Sequence, residues 1–380
     1  MKIDAWHLPW GRETVPHALL DIIRGCNIRC DACYNALPPS VKPLPEIETE
    51  LKLLLSRRRL GSVSLVGGEV LLHPNLCEII QLIKRQGLCA QIFSNGVLLN
   101  DQRLSDLKKA GLDMIFVHID GGQTRPELAP HPSRAQLREL WEEKTSRIAR
   151  HGIDAGLTMT AFEGGLPAVR EMVEFMVDSP HVNYLLVTLY RDTENMDLHG
   201  NLDSGMRGAL RDGRRPRTDT LTNLQIIEFL REALKFRPFA FLGSNKDVED
   251  PRWLSYLVGT CRAPEGAVTR YSLKASAFEK LVCAISLRLA GKYPMYRPQS
   301  TFQLGVQLIM NGLMGGDFAG NLKFALRSCR PGARLGTKRL LFQCPAQIDE
   351  DGTLTHCRNC PDAVVKQGEL VPVCISDRMS

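Results

Sequence analysis

The stretch HALLDIIRGCNIRCDACYN, residues 17–35, decides how the chain is read. His17 to Arg24 is an apolar run of strand length, and it runs straight into a polar segment carrying Cys26, Cys30 and Cys33. Thiols at i, i+4 and i+7 also share one helix face, and cysteine packs well in cores, so three buried thiols are the plain alternative. Gly25, Asn27, Arg29 and Asp31 speak for a loop or short turn, because a core helix does not usually begin abruptly on glycine. Three thiolates on such a loop can hold three corners of a four-iron cluster and leave the fourth iron open to a small molecule.

Outward from this stretch, from about Pro16 to Tyr190, short apolar runs alternate with longer amphipathic ones. The pattern predicts strands at His17 to Arg24, Ser62 to Val66, Cys89 to Phe93, Met114 to Ile119, Ile153 to Ala161 and Val182 to Tyr190. Helices are expected at Leu44 to Leu60, Leu76 to Gln86, Asp101 to Ala110, Ser133 to His151 and Pro167 to Val177. Gly87, Gly111 and Gly152 stand where a helix ends in a left-handed residue. The fold class is therefore α/β, a partial or full (β/α)6 barrel of parallel strands, whose carboxyl ends carry the chemistry. Arg191 to Thr218 is polar and rich in glycine and arginine and is expected to be an insertion or lid, followed by a helix near Leu221. Phe236 to Pro331 reads as mostly helical and irregular, with an apolar stretch from Phe302 to Leu326 broken by Gly312, Gly315, Gly316 and Gly320. The segment from about Leu335 is expected to be too small for its own core and to need a metal staple. The expected divisions are an N-terminal extension (1–15), the barrel core (16–236), a mostly helical region (237–334) and a cysteine-bearing tail (335–380).

The 380 residues, 44% hydrophobic and 24% charged, fit an ordinary globular protein and exclude a fibrous or low-complexity chain. No apolar run reaches the ~20 residues of a membrane span, and the first residues lack a secretory h-region, so a cytoplasmic location is expected. Twelve cysteines in such a chain point to metal binding rather than disulfides. A net charge of +6 over this length allows an anionic partner but is no nucleic-acid footprint.

The run CNIRCDACY resembles the CX3CX2C-aromatic signature of the radical S-adenosylmethionine (SAM) superfamily. The resemblance implies a [4Fe–4S] cluster on Cys26, Cys30 and Cys33, with Tyr34 beside it, whose open iron is chelated by the amino and carboxylate groups of SAM. An electron from that cluster would cleave SAM to a 5′-deoxyadenosyl radical that abstracts a substrate hydrogen. Gly67, Gly68 and Glu69 match the family's GGE segment, which implies close backbone approach and a carboxylate for the SAM ammonium group. A solvated turn is the alternative for such a tripeptide taken alone. FSNG is similar to the family's third-strand segment and implies Ser94 and Asn95 near the ribose or methionyl carboxylate, against an ordinary Asn-Gly turn. His118 and Asp120 share a strand face; if Asp120 lines the mouth, His118 lies beneath it, as a catalytic or a satisfied core histidine. Thr158 and Thr160 on the fifth strand, and Thr188 and Tyr190 on the sixth, suggest a lined cavity, with Thr158 a cofactor candidate and Tyr190 a second catalytic candidate.

In the tail, Cys344 precedes a CX2CX13C run of Cys357, Cys360 and Cys374. Four thiolates suit structural zinc as well as iron. The run resembles the auxiliary [4Fe–4S] region of radical SAM enzymes with SPASM or Twitch extensions, including the cyclase that begins molybdenum-cofactor synthesis. It departs from that cyclase in ending CISDRMS without Gly-Gly and in the added Cys344, and the CX7GX4C arrangement from Cys344 to Cys357 is shorter than the usual SPASM spacing. Cys77, Cys89, Cys261, Cys283 and Cys329 read as core or surface thiols. Arg207, Arg211, Arg214, Arg215 and Arg217 form a solvated charge run or a phosphate or carboxylate site.

The resemblance implies a radical SAM enzyme of oxidoreductase or lyase type, with a second cluster that exchanges electrons during an oxidation, a carbon–carbon coupling or a rearrangement. The expected substrate is a small molecule or lipid, the alternative a ribosomally made peptide; the expected reductant is flavodoxin or ferredoxin. A non-catalytic electron carrier or zinc-stabilised binding protein is the reading from another class, and an open iron beside a GGE segment weighs against it.

Overall fold

The computed structural model describes residues 3–35, 38–200, 202, 205–213, 220–294, 301–328 and 331–378. Arg214, Arg215, Arg217 and Cys329 lie outside the described residues. The barrel strands are β1 (His17–Ile23), β2 (Ser62–Gly67), β3 (Cys89–Ser94), β4 (Met114–His118), β5 (Asp154–Ala161) and β6 (Val182–Leu189). Between them run α1 (Leu44–Arg57), α2 (Leu76–Arg85), α3 (Asp101–Ala110), α4 (Arg134–Arg150) and α5 (Leu166–Asp178). All five neighbouring strand pairs are parallel, as crossover helices require. Local signals set the helix ends: Ser133 and Gln136 form a capping box at the start of α4, and Gly111 closes α3 with φ 95°. Val63, Leu65, Ile92, Ile115 and Val117 bury one strand face against Ile79, Ile80 and Ile83 of α2 and Leu104 of α3 in the main core.

Beyond β6 the chain departs from the helical expectation for Phe236 to Pro331. After α6 (Asn223–Leu234) come three strands, β7 (Ala240–Leu242), β8 (Trp253–Arg262) and β9 (Val268–Leu273). Then follow α7 (Ala277–Ala290), α8 (Thr301–Leu313), α9 (Phe318–Ser328) and the strand β10 (Arg334–Gln343). β10 lies parallel to β6, with Arg339 opposite Tyr184 and Gln343 opposite Thr188, and antiparallel to β8. The sheet thus runs from the short strand Trp6–His7 through β7, β8, β10, β6, β5, β4, β3 and β2 to β1, with β9 branching from β8. WLSYLVGTCR misleads because nine of its ten residues are buried, so no period-2 alternation marks it as a strand.

The tail shares a core with the segment expected to be an insertion. Met196–His199 pairs with Arg207–Leu210 in a hairpin within the expected insertion. Met196, Leu198, Met206 and Leu210 pack with Ala346, Ile348, Leu354, Val371 and Ile375. A second small cluster joins Val364 of the tail to Leu19 of β1 and Val66 of β2. The tail is therefore held against the barrel by burial as well as by any metal.

Candidate functional site

The carboxyl ends of the barrel strands open into a cavity of about 260 Å³. Cys26, Cys30 and Cys33 line one part of it and Cys344, Cys357, Cys360 and Cys374 another, so the two sequence-distant sets face the same space. Leu19, Val66, Phe93 and Leu186 give it an apolar surface; His118, Thr158, Thr160, Thr188 and Tyr190 add polar groups. Among the described residues no three His, Cys, Asp or Glu side chains converge tightly enough to hold a metal ion.

The first cysteine loop is tied down from three sides. Arg29–Cys30 pairs antiparallel with Gln123–Thr124, and the Asp31 amide donates to the Gly122 carbonyl at 2.9 Å. The Gln123 Nε2 stands 3.6 Å from Cys30 Sγ, and the Asn95 Nδ2 lies 3.8 Å from Cys26 Sγ while donating to Asn27 Oδ1 at 2.7 Å. Arg24 forms ion pairs with Asp21 and with Asp377, the latter at 2.6 Å, which links this loop to the chain's last turn. Burial pushes the Cys30 thiol up to about 12; the Gln123 contact opposes this, and the charges of Asp120, Cys33 and Cys26 add to it. A thiol in that state becomes a ligand when a metal's positive charge replaces its proton.

The GGE segment joins the ends of two strands to the cysteine loop. A Cβ on Gly67 would lie 2.0 Å from the Ile23 carbonyl oxygen, and one on Gly68 2.1 Å from that of Gly25. Glycine is required here so that the end of β2 can press against the cysteine loop. Glu69 is fully buried and accepts hydrogen bonds from Ser94 Oγ at 2.8 Å, the Asn95 amide at 2.7 Å and the Leu71 amide at 3.0 Å. Burial raises its pKa above the ordinary carboxylate range while these donors pull the other way. Glu69 is absent from the cavity surface and joins the ends of β2 and β3, whereas Gly67 and Gly68 line the cavity. Ser94 lines the cavity, but its hydroxyl also accepts from the Gly96 amide at 2.9 Å, which makes it a brace.

The order of His118 and Asp120 is inverted from expectation. His118 lines the cavity, while Asp120 is buried behind it. The Asp120 carboxylate contacts His118 Nε2 at 2.8 Å and accepts from the Thr160 amide at 3.0 Å and the Gly122 amide at 3.0 Å. Burial alone would raise the Asp120 pKa, but His118 and the two amides hold it below the usual range. Tyr190 lines the cavity, packs on Phe162 at 4.9 Å between ring centroids and donates its hydroxyl to Glu194 at 2.9 Å. Tyr34 is half-buried with its hydroxyl 3.5 Å from the Gly67 carbonyl oxygen, and burial raises its pKa.

Around the tail cysteines, Cys344 is buried, its carbonyl lies 3.8 Å from Cys357 Sγ, and the Ala346 amide points to Cys374 Sγ at 3.4 Å. Burial pushes Cys374 up to about 12; Cys360 is raised by a hydrogen bond with Cys357, then by burial. Arg191 stands over this set. It is 6% exposed, its Nη2 lies 3.6 Å from Cys344 Sγ, and its other nitrogens donate to Gln347 Oε1 at 2.9 Å and the Tyr190 carbonyl at 2.6 Å. Sequence reasoning missed Arg191 and Gln123, which come to the cysteines through folding alone. Arg207 instead ties the hairpin to the Asp351 carbonyl at 2.6 Å. Cys89 and Cys261 are buried core thiols, and Cys77 and Cys283 are partly buried.

Residues 20–176 match the model of the Radical SAM superfamily. Among curated relatives, a GTP 3′,8-cyclase of Parasynechococcus marenigrum is 39% identical over 116 residues, covering 27% of this chain and 33% of the cyclase. The antilisterial bacteriocin subtilosin biosynthesis protein AlbA of Bacillus subtilis is 25% identical over 167 residues, 43% of this chain and 37% of AlbA. The chain thus spans about a third of the length of the curated relatives it matches. Among solved structures, Streptococcus suis SuiB bound to precursor peptide SuiA aligns with a TM-score of 0.37 at 16% identity, over 47% of this chain and 40% of SuiB. The structure of native anSMEcpe with bound AdoMet and Cp18Cys peptide aligns at 0.39 and 14%, over 57% and 58%. Members of the superfamily are enzymes that use a [4Fe–4S] cluster and SAM, and the all-thiol donor set of Cys26, Cys30 and Cys33 on a loop beside an open cavity fits that cluster.

Proposed function

We propose that the protein is a radical SAM enzyme that abstracts a hydrogen atom from a substrate held in the cavity between its two cysteine sets. The observation that carries this reading is that cavity: one surface presents Cys26, Cys30 and Cys33, another presents Cys344, Cys357, Cys360 and Cys374, and strand-borne polar side chains stand between. When bound at the first set, a reduced cluster supplies the electron that cleaves SAM to the 5′-deoxyadenosyl radical. Asn95 and Gln123 orient two of the ligands through their amide nitrogens, and Gly67 and Gly68 bring backbone to the cofactor. Asp120 fixes the ring of His118 at the cavity surface, where the imidazole can take or give a proton. Thr158, Thr160 and Thr188 offer hydroxyls for orientation, and the apolar surface excludes water from a radical.

The four tail cysteines are proposed to hold a second [4Fe–4S] cluster for electron exchange with substrate or product. An apolar cavity favours a small molecule or lipid as substrate. A ribosomally made peptide is the second reading, supported by the similarity to AlbA, a bacteriocin biosynthesis protein. Flavodoxin or ferredoxin is the proposed reductant. Iron and zinc analysis with electron paramagnetic resonance on anaerobically reconstituted protein tests the two-cluster arrangement. Two cluster signals are expected, of which Cys360→Ala removes one and leaves the SAM-responsive one. One cluster plus one zinc would overturn the tail assignment.

A further inference from the structure

The helices α7, α8 and α9 are built inside out. α8 and α9 pack on the sheet through Leu304, Leu308 and Phe324, which join Phe239, Leu257 and Leu273 in a core. Between the helices lies a buried polar network. The Glu279 carboxylate accepts from Ser276 Oγ at 2.6 Å, Gln307 Nε2 at 3.2 Å and Asn311 Nδ2 at 2.9 Å, and Asn321 Nδ2 donates to Asn311 Oδ1 at 2.9 Å. The outward faces are apolar instead. On α8 the exposed stripe is Phe302, Val306, Ile309 and Leu313, spaced along a single helix face, with Phe302 79% exposed. On α9 it is Phe318, Leu322 and Leu326, and on α7 Leu281, Val282, Ile285 and Leu289, the last 81% exposed. A helix layer facing water has the opposite polarity, and apolar stripes exposed on three helices packed in sequence mark a docking site.

We propose that this face docks on the surface of an anionic lipid bilayer. Charge selects the occupant. Lys280, Arg288, Lys292, Lys323 and Arg327 are exposed around the apolar stripes. The carboxylates between residues 277 and 328 are Glu279, consumed by the buried network, and Asp317, which is half-buried. A second copy docking by the same face would set these cations against each other, whereas anionic headgroups complement them. Helices of 14, 13 and 11 residues are about 21, 20 and 17 Å long, short of the ~30 Å hydrocarbon core, so they lie in the interface rather than span it. The docking does not depend on the chemistry proposed above.

Vesicle flotation of the iron-loaded full chain tests this. Vesicles of equal parts phosphatidylglycerol and phosphatidylcholine should carry at least ~10-fold more protein than pure phosphatidylcholine. The triple variant Leu289→Asp, Phe302→Asp, Leu313→Asp should lose that binding while keeping the parent's circular dichroism and thermal midpoint, because all three side chains are exposed. Lys280→Glu with Lys323→Glu should weaken binding to the anionic vesicles and leave the apolar stripes intact. Parent protein that stays off anionic vesicles, or a triple variant that still floats with them, overturns the proposal. A parent dimer dispersed by the triple variant, without vesicle binding, would assign the face to a second copy and also overturn it.

Discussion

Arg191 is a cation held among backbone carbonyls, Gln347 and the Cys344 sulfur, where burial lowers its pKa and the Cys344 thiolate raises it. A positive charge and an N–H beside a cluster sulfur favour the reduced, more negative state. Arg191→Gln is therefore expected to lower the midpoint potential of the proposed second cluster, read by a potentiometric titration; an unchanged potential would remove Arg191 from this role. At the other set, Cys30→Ala should remove one cluster's iron and all SAM cleavage while leaving the second cluster's signal. Gly68→Ala must move either its new methyl or the Gly25 carbonyl, and overpacking of this kind costs about 1–3 kcal/mol or more. Its thermal midpoint should fall, and SAM binding by calorimetry should weaken with it. The cysteines and glycines of the site were legible in the sequence because spacing carries their meaning. That Glu69 and Asp120 are buried behind the cavity surface was not legible, since a carboxylate's residue type does not say whether it faces a cavity or braces the residues that do.

Strand β10 shows how an element can be invisible locally and central in the fold. It inserts between β6 and β8 and places Lys338 in the interior, where Nζ donates to the carbonyls of Ser179, at 2.7 Å, and Val182. Burial lowers the Lys338 pKa to about 7 from 10.5, helped by Arg262 and opposed by Asp178. Below about pH 7 both folded and unfolded chains carry the proton, and the burial penalty is fully present. Between about pH 7 and 10.5 the unfolded chain binds more protons, so this group's contribution makes stability rise with pH. Denaturant titrations across that window should show the parent gaining on Lys338→Met as pH rises; a constant difference would contradict the assignment. The six barrel strands and five helices were readable because helix and strand periods alternate and caps mark the boundaries. β7 to β10 were not: β10 pairs with β6, far earlier in the chain, and β8, buried on both faces, has no alternation to read.

At the scale of the molecule, two arrangements follow from which surfaces the chain buries. The hairpin at Met196–Leu210 and the tail share one core, and Val364 reaches Leu19 and Val66 in the barrel, so burial brings the tail cysteines to the first set. That joining could not be read from either segment alone, because neither has enough apolar surface to announce a partner. The helices α7 to α9 enclose the Glu279, Gln307, Asn311 and Asn321 network and expose apolar stripes with cations, and no helix among the described residues is long and apolar enough to cross a membrane. The central claim is that Cys26, Cys30 and Cys33 serve a cluster that opens SAM beside the shared cavity. Anaerobic, iron-reconstituted protein mixed with SAM and a strong reductant should release 5′-deoxyadenosine and methionine, detected by mass spectrometry, and the Cys26→Ala, Cys30→Ala and Cys33→Ala variants should release none. Iron-replete parent protein that yields no 5′-deoxyadenosine, or variants that yield as much as the parent, would contradict it.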